Sequence, residues 1–343
     1  GIGIIVVAMV FLPTLRVGGM QLFRSEAFDT FGKILPRAAE IAGRVSTIYI
    51  VLTLACMMAY AMAGLSPFDA LVHAMTTIAT GGFSNYNASF AALPPAAEYV
   101  GAVFMILACL PFVRYVQLTA GTARPLWEDA QVRLFLAIAF AVVGALALWQ
   151  GLVLGAGTER AVREALFNGV SILTGTGYAS ADYGLWGSFP VALFFLIGLI
   201  GGCAGSTTCS IKVFRFQILY AAVTTQIRRI HAPSGVFAPR YEGRAVPDDV
   251  MSSVMAFFVL FVLTLAVTAI LLGLMGLDTV TAVSGAATAL ANVGPGLGPE
   301  IGPTGSFADL PDGAKWLLSA AMLIGRLELM SVYVLFTVAF WRR

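Results

Sequence analysis

Charge is what this sequence has least of. Asp, Glu, Lys and Arg make up 11% of its 343 residues, where a soluble domain carries roughly 25%. Hydrophobic residues reach 59% and the mean hydropathy is +0.89. That balance excludes a soluble globular fold and implies a polytopic membrane protein. The net charge is only +2, and the basic residues fall between apolar runs instead of forming one patch, so no nucleic acid partner is implied. Histidine occurs twice, as His73 and His231, which argues against a His-based metal centre. Both read as ordinary structural residues, one on a helix surface and one in a loop. Cysteine occurs four times, as Cys56, Cys109, Cys203 and Cys209. Their spacing suggests neither a disulfide framework nor a zinc site, and Cys203 and Cys209 have no further ligands of the right type nearby. The opening run GIGIIVVAMVFL lacks a basic n-region and a small-residue cleavage site, so it is not a signal peptide. It is shorter than the ~20 residues a span needs. It reads as the second half of a truncated helix, with part of the protein upstream.

What the sequence does have is a polar, Gly-rich punctuation that recurs between apolar segments. Residues 75–84 read MTTIATGGFS and close a short helix that opens with Ser66-Pro67-Phe68-Asp69. Ser is a favoured N-cap, Pro suits the first helical position, and Asp complements the dipole in the first turn. The same construction returns at 158–172 followed by LTGTGY, and at 278–290 followed by ANVGPG, with Asp278 as a possible N-cap. An internal repeat decides the architecture. The unit is membrane helix, short pore helix, Gly-containing segment, membrane helix. Gly-rich backbone at membrane depth is tolerated only inside protein or along a water-filled path. Such backbone can direct carbonyl oxygens at a dehydrated cation.

The apolar spans are expected at 45–64, 99–113, 134–154, 189–220, 251–276 and 314–341. Pro94-Pro95 reads as a stop signal in a polar turn. The fourth span is interrupted by Gly201-Gly202-Cys203-Ala204-Gly205-Ser206-Thr207-Thr208-Cys209-Ser210, a poor helix interior that reads as a helix broken inside the membrane. Arg16, Arg24, Lys33, Arg37, Arg44, Arg114, Arg124, Arg133, Lys212, Arg215, Arg228, Arg229, Arg240, Arg244, Arg342 and Arg343 belong to one side. Arg160, Arg163 and Lys315 belong to the side of the Gly-rich segments. The positive-inside rule then puts the C-terminus in the cytoplasm. Asp69, Asp278 and Glu159 each begin a pore helix and read as capping or dipole residues. Asp182, Glu300, Asp309 and Asp312 lie on the outer side as solvated charges able to raise the local cation concentration.

MTTIATGGFSNYNASF, IGGCAGSTTCSIK, ANVGPGLG and AMLIGRLE resemble the Trk/Ktr/HKT superfamily of potassium transporters, nearest to its bacterial TrkH branch. The resemblance runs over essentially the whole chain. It implies an all-α polytopic membrane protein built of membrane–pore–membrane repeats around one pseudo-fourfold pore. It further implies K+ as the transported ion with no cofactor, a homodimer in the bacterial inner membrane, and a cytosolic nucleotide-binding regulatory subunit of TrkA type. On this reading 1–44 holds the end of a truncated first repeat and a cytoplasmic link. The second repeat is 45–130, the third 131–248 with its broken second helix, and the fourth 249–343. Two departures stand out. Only three filter segments are visible, the first lying upstream. Thr208-Cys209-Ser210 also stands where relatives usually carry a glycine cluster, which bears on how flexible that loop is.

The residues expected to present backbone carbonyls are Ala79, Thr80 and Gly81, then Gly175, Thr176 and Gly177, then Asn292, Val293 and Gly294, with Gly81, Gly177 and Gly294 as equivalents. The expected gate is Gly201, Gly202, Gly205, Ser206 and Thr207 together with Arg326. In the family's matching GRLE the Arg faces the pore beneath the filter. A central Arg costs ~2.5–3.5 kcal/mol on insertion scales and so needs a partner or a cavity. The competing roles for Arg326 are snorkelling to the interface and an ion pair with Glu328, although residues two apart do not share a helix face. Alternatives are a sodium-dependent, Ktr-like transporter and a secondary carrier with broken helices. A hydrolase built on Ser206 lacks a paired base at membrane depth.

Overall fold

The computed structural model describes residues 38–342, Glu328 excepted. The opening apolar run, most of the first link and the Arg326–Glu328 pairing lie outside the described residues. Helices dominate. The only strands among the described residues are a two-residue hairpin, β1 (Arg240–Tyr241) with β2 (Arg244–Ala245).

The unit seen in the sequence is built three times. Span α1 (Ala38–Met62) leads to pore helix α2 (Pro67–Ile78), then to α3 (Pro95–Ala108) and α4 (Phe112–Thr119). After the short α5 (Arg124–Glu128), span α6 (Ala130–Leu152) leads to pore helix α7 (Thr158–Leu173), then to α8 (Ser188–Leu199) and α9 (Val213–His231). Span α10 (Asp248–Leu274) leads to pore helix α11 (Thr279–Ala291), then to α12 (Asp312–Arg326), α13 (Leu329–Leu335) and α14 (Val338–Trp341). Each pore helix packs on the span before it, and the repeats join where α3 meets α7 and α8 meets α11. The most apolar stretches of α1, α6 and α10 are only 17%, 28% and 28% buried. Side chains such as Met58, Phe140 and Val259 stay exposed on them, the pattern of helices that face lipid.

Local chemistry sets the pore-helix starts. The Ser66 hydroxyl accepts the Asp69 amide, with Pro67 in the first turn. Asp278 accepts the amides of Val280 and Thr281. These are the side-chain caps that satisfy otherwise orphaned N–H groups.

Several boundaries differ from the sequence expectation. Pro95 opens α3 instead of closing a turn, because proline's missing N–H is harmless in a first turn. The span that begins there breaks at Pro111, and α4 leaves at 88° to α3. Proline disfavours helical backbone in the residue before it and clashes with the preceding turn. α9 runs on to His231, so that histidine ends a helix and is not in a loop. The last span is also broken: α12 ends at Arg326, which places Arg326 at a helix end and not deep within a continuous span.

Candidate functional site

Each pore helix ends in the same hydrogen-bonded turn. The amides of Thr80, Gly175 and Asn292 bond back to the carbonyls of Thr77, Ile172 and Ala289. The next amides, of Gly81, Thr176 and Val293, bond to the carbonyls of Thr76, Ser171 and Thr288. This is the Schellman pairing, which needs a left-handed residue at its centre. That residue is Thr80 (φ 49°), Gly175 (φ 66°) or Asn292 (φ 57°). Two residues later a glycine is again left-handed: Gly82 (φ 67°), Gly177 (φ 84°) and Gly294 (φ 112°). The first repeat is therefore offset by one from the sequence expectation. Gly82, not Gly81, is the counterpart of Gly177 and Gly294, and the matching triplet is Thr80-Gly81-Gly82.

The three segments approach one another closely. A Cβ on Gly82 would stand 1.9 Å from the Thr176 carbonyl oxygen, and one on Gly177 would stand 1.9 Å from that of Val293. Only glycine fits at these two positions, by φ and by contact. Carbonyls of neighbouring segments thus gather where three helix C-termini, with their partial negative charge, also end.

A set of residues that the sequence reading did not single out holds each segment to its pore helix. The residue four before each left-handed position carries a hydroxyl: Thr76, Ser171 and Thr288. Thr76 donates to the Phe83 carbonyl at 2.9 Å, and Ser171 donates to that of Tyr178 at 2.7 Å. The Thr288 hydroxyl accepts the Gly294 amide at 3.0 Å. The matched hydroxyls were a signal available in the sequence. Tyr178 is fully buried. Its hydroxyl lies within hydrogen-bond reach of Thr76 and Thr77, tying the second segment to the first pore helix. His73, expected on a helix surface, is fully buried. Its Nδ1 donates to the Asp69 carbonyl at 2.8 Å, and its Nε2 accepts from the Ser84 hydroxyl at 3.0 Å.

At the pore-helix N-termini two carboxyls are held below the usual carboxylate range. Asp69 is lowered by hydrogen bonds from Asn85 and then Ser66. Asp278 is lowered by its bonds to Thr281.

Below the turns, α8 and α9 are separated by residues 200–212. A parallel bridge between Ile200 and Ile211 pinches the neck of this loop. Gly201 fits the neck because a Cβ there would stand 2.1 Å from the Cys209 carbonyl oxygen. Inside the loop the Ser206 hydroxyl donates to the Cys203 carbonyl at 2.6 Å. Gly202 donates its amide to the Thr208 hydroxyl at 3.0 Å. The Gly205 carbonyl accepts the Phe112 amide at 3.0 Å. Thr207 meets Thr80, the Ser210 hydroxyl donates to the Ala291 carbonyl at 2.9 Å, and the Arg326 guanidinium touches the Cys209 sulfur. The expected gate residues and Arg326 are thus brought together directly beneath the ends of α2 and α11. Gly325 permits the approach of α12, since a Cβ there would stand 1.8 Å from the Leu290 carbonyl oxygen. Thr208, Cys209 and Ser210 each make a side-chain contact that glycine could not make.

Known proteins resemble this chain in sequence and in fold. A Trk system potassium uptake protein, TrkI of Halomonas elongata, is 47% identical over 345 aligned positions, covering 100% of this chain and 70% of the relative. The Escherichia coli potassium uptake protein TrkH is 35% identical, covering 100% of this chain and 71% of the relative. The crystal structure of the potassium transporter TrkH from Vibrio parahaemolyticus superposes with a TM-score of 0.86 at 33% identity, over 99% of this chain and 70% of that one. The family of cation transport proteins called TrkH matches residues 1–342, and the chain belongs to that family.

Proposed function

We propose that this chain conducts potassium into the bacterial cell across the inner membrane, as the pore-forming subunit of a Trk-type system. The observation that carries the proposal is the thrice-repeated left-handed turn, with neighbouring segments so close that a Cβ on Gly82 or Gly177 would collide with the next carbonyl. Backbone carbonyls of residues 79–82, 175–177 and 292–294 replace part of the water around a K+ ion. The repeat bounds 45–130, 131–248 and 249–343 belong to this reading, as does a fourth filter segment that completes a pseudo-fourfold ring. Below the filter, Gly201, Gly202, Gly205, Ser206 and Thr207 cross the ion path and Arg326 adds a fixed positive charge. Such a charge raises the barrier to a cation, the more so in a low-dielectric pore. The transporter is a homodimer with its C-terminus in the cytoplasm, where a nucleotide-binding subunit of TrkA type acts on it. The named relatives, each a Trk system potassium uptake protein, support potassium over other cations.

Radiolabelled rubidium uptake by the full-length transporter in proteoliposomes tests the reading. Uptake that K+ competes and Na+ does not is the expected result. Uptake strictly dependent on Na+ would favour a sodium-coupled transporter, and an absence of uptake would sink the proposal. Arg326→Gln is expected to speed uptake with normal expression. Poor expression of Arg326→Gln would mark a structural ion pair instead.

A further inference from the structure

Among the three matched turns, one carries the wrong residue for its backbone. Glycine and asparagine, at 175 and 292, adopt left-handed backbone with little strain. Thr80 at φ 49° is β-branched, and a β-branched residue there is an outlier. An outlier of this kind persists only where its surroundings hold it, and it points toward function. What surrounds Thr80 is the loop below. Its hydroxyl lies 3.1 Å from the Thr207 carbonyl oxygen and 3.3 Å from the Thr207 hydroxyl. Thr207 is itself fixed, donating its hydroxyl to the Ala108 carbonyl at 3.1 Å, where α3 ends. Gly175 has no side chain to reach the loop, and the Asn292 amide is turned to the carbonyls of Leu290 and Met322 instead.

The Thr80 hydroxyl has one proton and two carbonyls within reach. The second is its neighbour Ala79, at 2.8 Å. A hydroxyl donates once and accepts twice, so the proton goes to the loop or to Ala79, not to both. We propose that Thr80 is a latch between the filter and the pore-crossing loop. With the loop in place, Thr80 donates to Thr207 and its left-handed turn is supported. With the loop withdrawn, the proton returns to Ala79 and the first filter turn loses that support. Gate position and ion preference are then coupled, and the coupling runs equally in both directions. The latch rests on the reading of residues 201–210 as a gate.

A double-mutant cycle in the full-length transporter tests it, read as rubidium uptake and as preference for K+ over Na+. Thr80→Val keeps the branched shape and removes the hydroxyl. It should raise uptake about fivefold, the effect of one net hydrogen bond, and Thr80→Ser should stay closer to the parent than Thr80→Val does. In a transporter lacking residues 205–207, uptake should already be raised and Thr80→Val should add nothing. The deletion should also weaken the preference for K+, because the turn has lost its support. Where Thr80→Val fails to reach the membrane, Thr80→Gly removes the same hydroxyl without strain and takes its place in the cycle. Equal factors in the intact and shortened backgrounds, or no change in either, would overturn the latch while leaving the gate standing. A deletion that leaves uptake at the parent level would overturn the gate itself, and the latch with it.

Discussion

In the half of this molecule that holds the pore-helix ends, Thr80, Gly175 and Asn292 make one turn three times over. In the other half the helices that leave those turns break in three different ways. Between α3 and α4 the break is a sharp bend at Pro111. Between α8 and α9 it is a pinched loop, and after α12 the helix ends at Arg326. The contrast fits the roles proposed for the two halves, a filter and a gate. A desolvated ion is bound by several carbonyls at once, so each segment must present the same geometry. Blocking a pore needs only one obstruction, and a single repeat can supply it. On the proposed reading, symmetry is kept where ions are coordinated and given up where flow is controlled.

The most severe way to break the symmetric half is a methyl group on Gly82 or Gly177. Left-handed backbone disfavours a side chain by about 1–2 kcal/mol, and here the added carbon would also collide with a carbonyl oxygen at 1.9 Å. Gly82→Ala and Gly177→Ala should each lower the ratio of K+ to Na+ uptake at least ~10-fold. Gly81→Ala should be mild, since its Cβ would meet the Phe83 ring at 3.3 Å and its φ is not left-handed. Equal losses from Gly81→Ala and Gly82→Ala would return the register to the one expected from sequence.

A smaller effect sharpens the asymmetric half. Ser210→Ala removes the bond to the Ala291 carbonyl and should raise resting uptake about fivefold, as one net hydrogen bond would. Thr208→Gly removes the acceptor of the Gly202 amide and should act in the same direction. Unchanged uptake in both variants would mean that these contacts do not hold the loop.

The smallest effect lies at a pore-helix N-terminus. Asp278→Ala removes an N-cap and should lower stability by about 1 kcal/mol, whereas Asp278→Asn should largely keep it. Because the folded state holds the Asp278 carboxyl low, its contribution is present above the usual carboxylate range and fades as pH falls through the lowered value. Thermal unfolding in detergent, with and without Asp278→Ala, should therefore differ at neutral pH and converge in acid.

How much of this was legible in the sequence differs between the two halves. Capping residues, glycine pairs and apolar spacing located all three pore helices and their turns. The glycines alone did not give the register of the first turn, because Gly81 and Gly82 are the same residue. The hydroxyl of Thr76, matched by Ser171 and Thr288, was the sequence sign of it. The left-handed φ of Gly82 and the bond from the Gly81 amide to Thr76 separate the two roles. The break between α8 and α9 was announced by its glycines. The bend after α3 had one weak sign, Pro111, and the end of α12 at Arg326 had none in the form of a proline. Burial of His73 was hidden because its partner Ser84 lies beyond the turn, at a distance that helical periodicity does not report. The Thr80–Thr207 contact joins residues 127 positions apart, which no local pattern encodes.

The bridge between Ile200 and Ile211 has a kinetic consequence. A loop whose two feet are clasped together can shift without carrying α8 or α9 along. Its motion then belongs to the class of loop fluctuations, roughly ns to μs, and not to the helix rearrangements of roughly μs to ms. If the loop is the gate proposed above, electrical recordings should register its own closures as excess noise on an open current. Closures long enough to resolve would then belong to the helices, and Ile211→Pro, which removes the amide that bonds the Leu199 carbonyl, should move the two timescales toward each other.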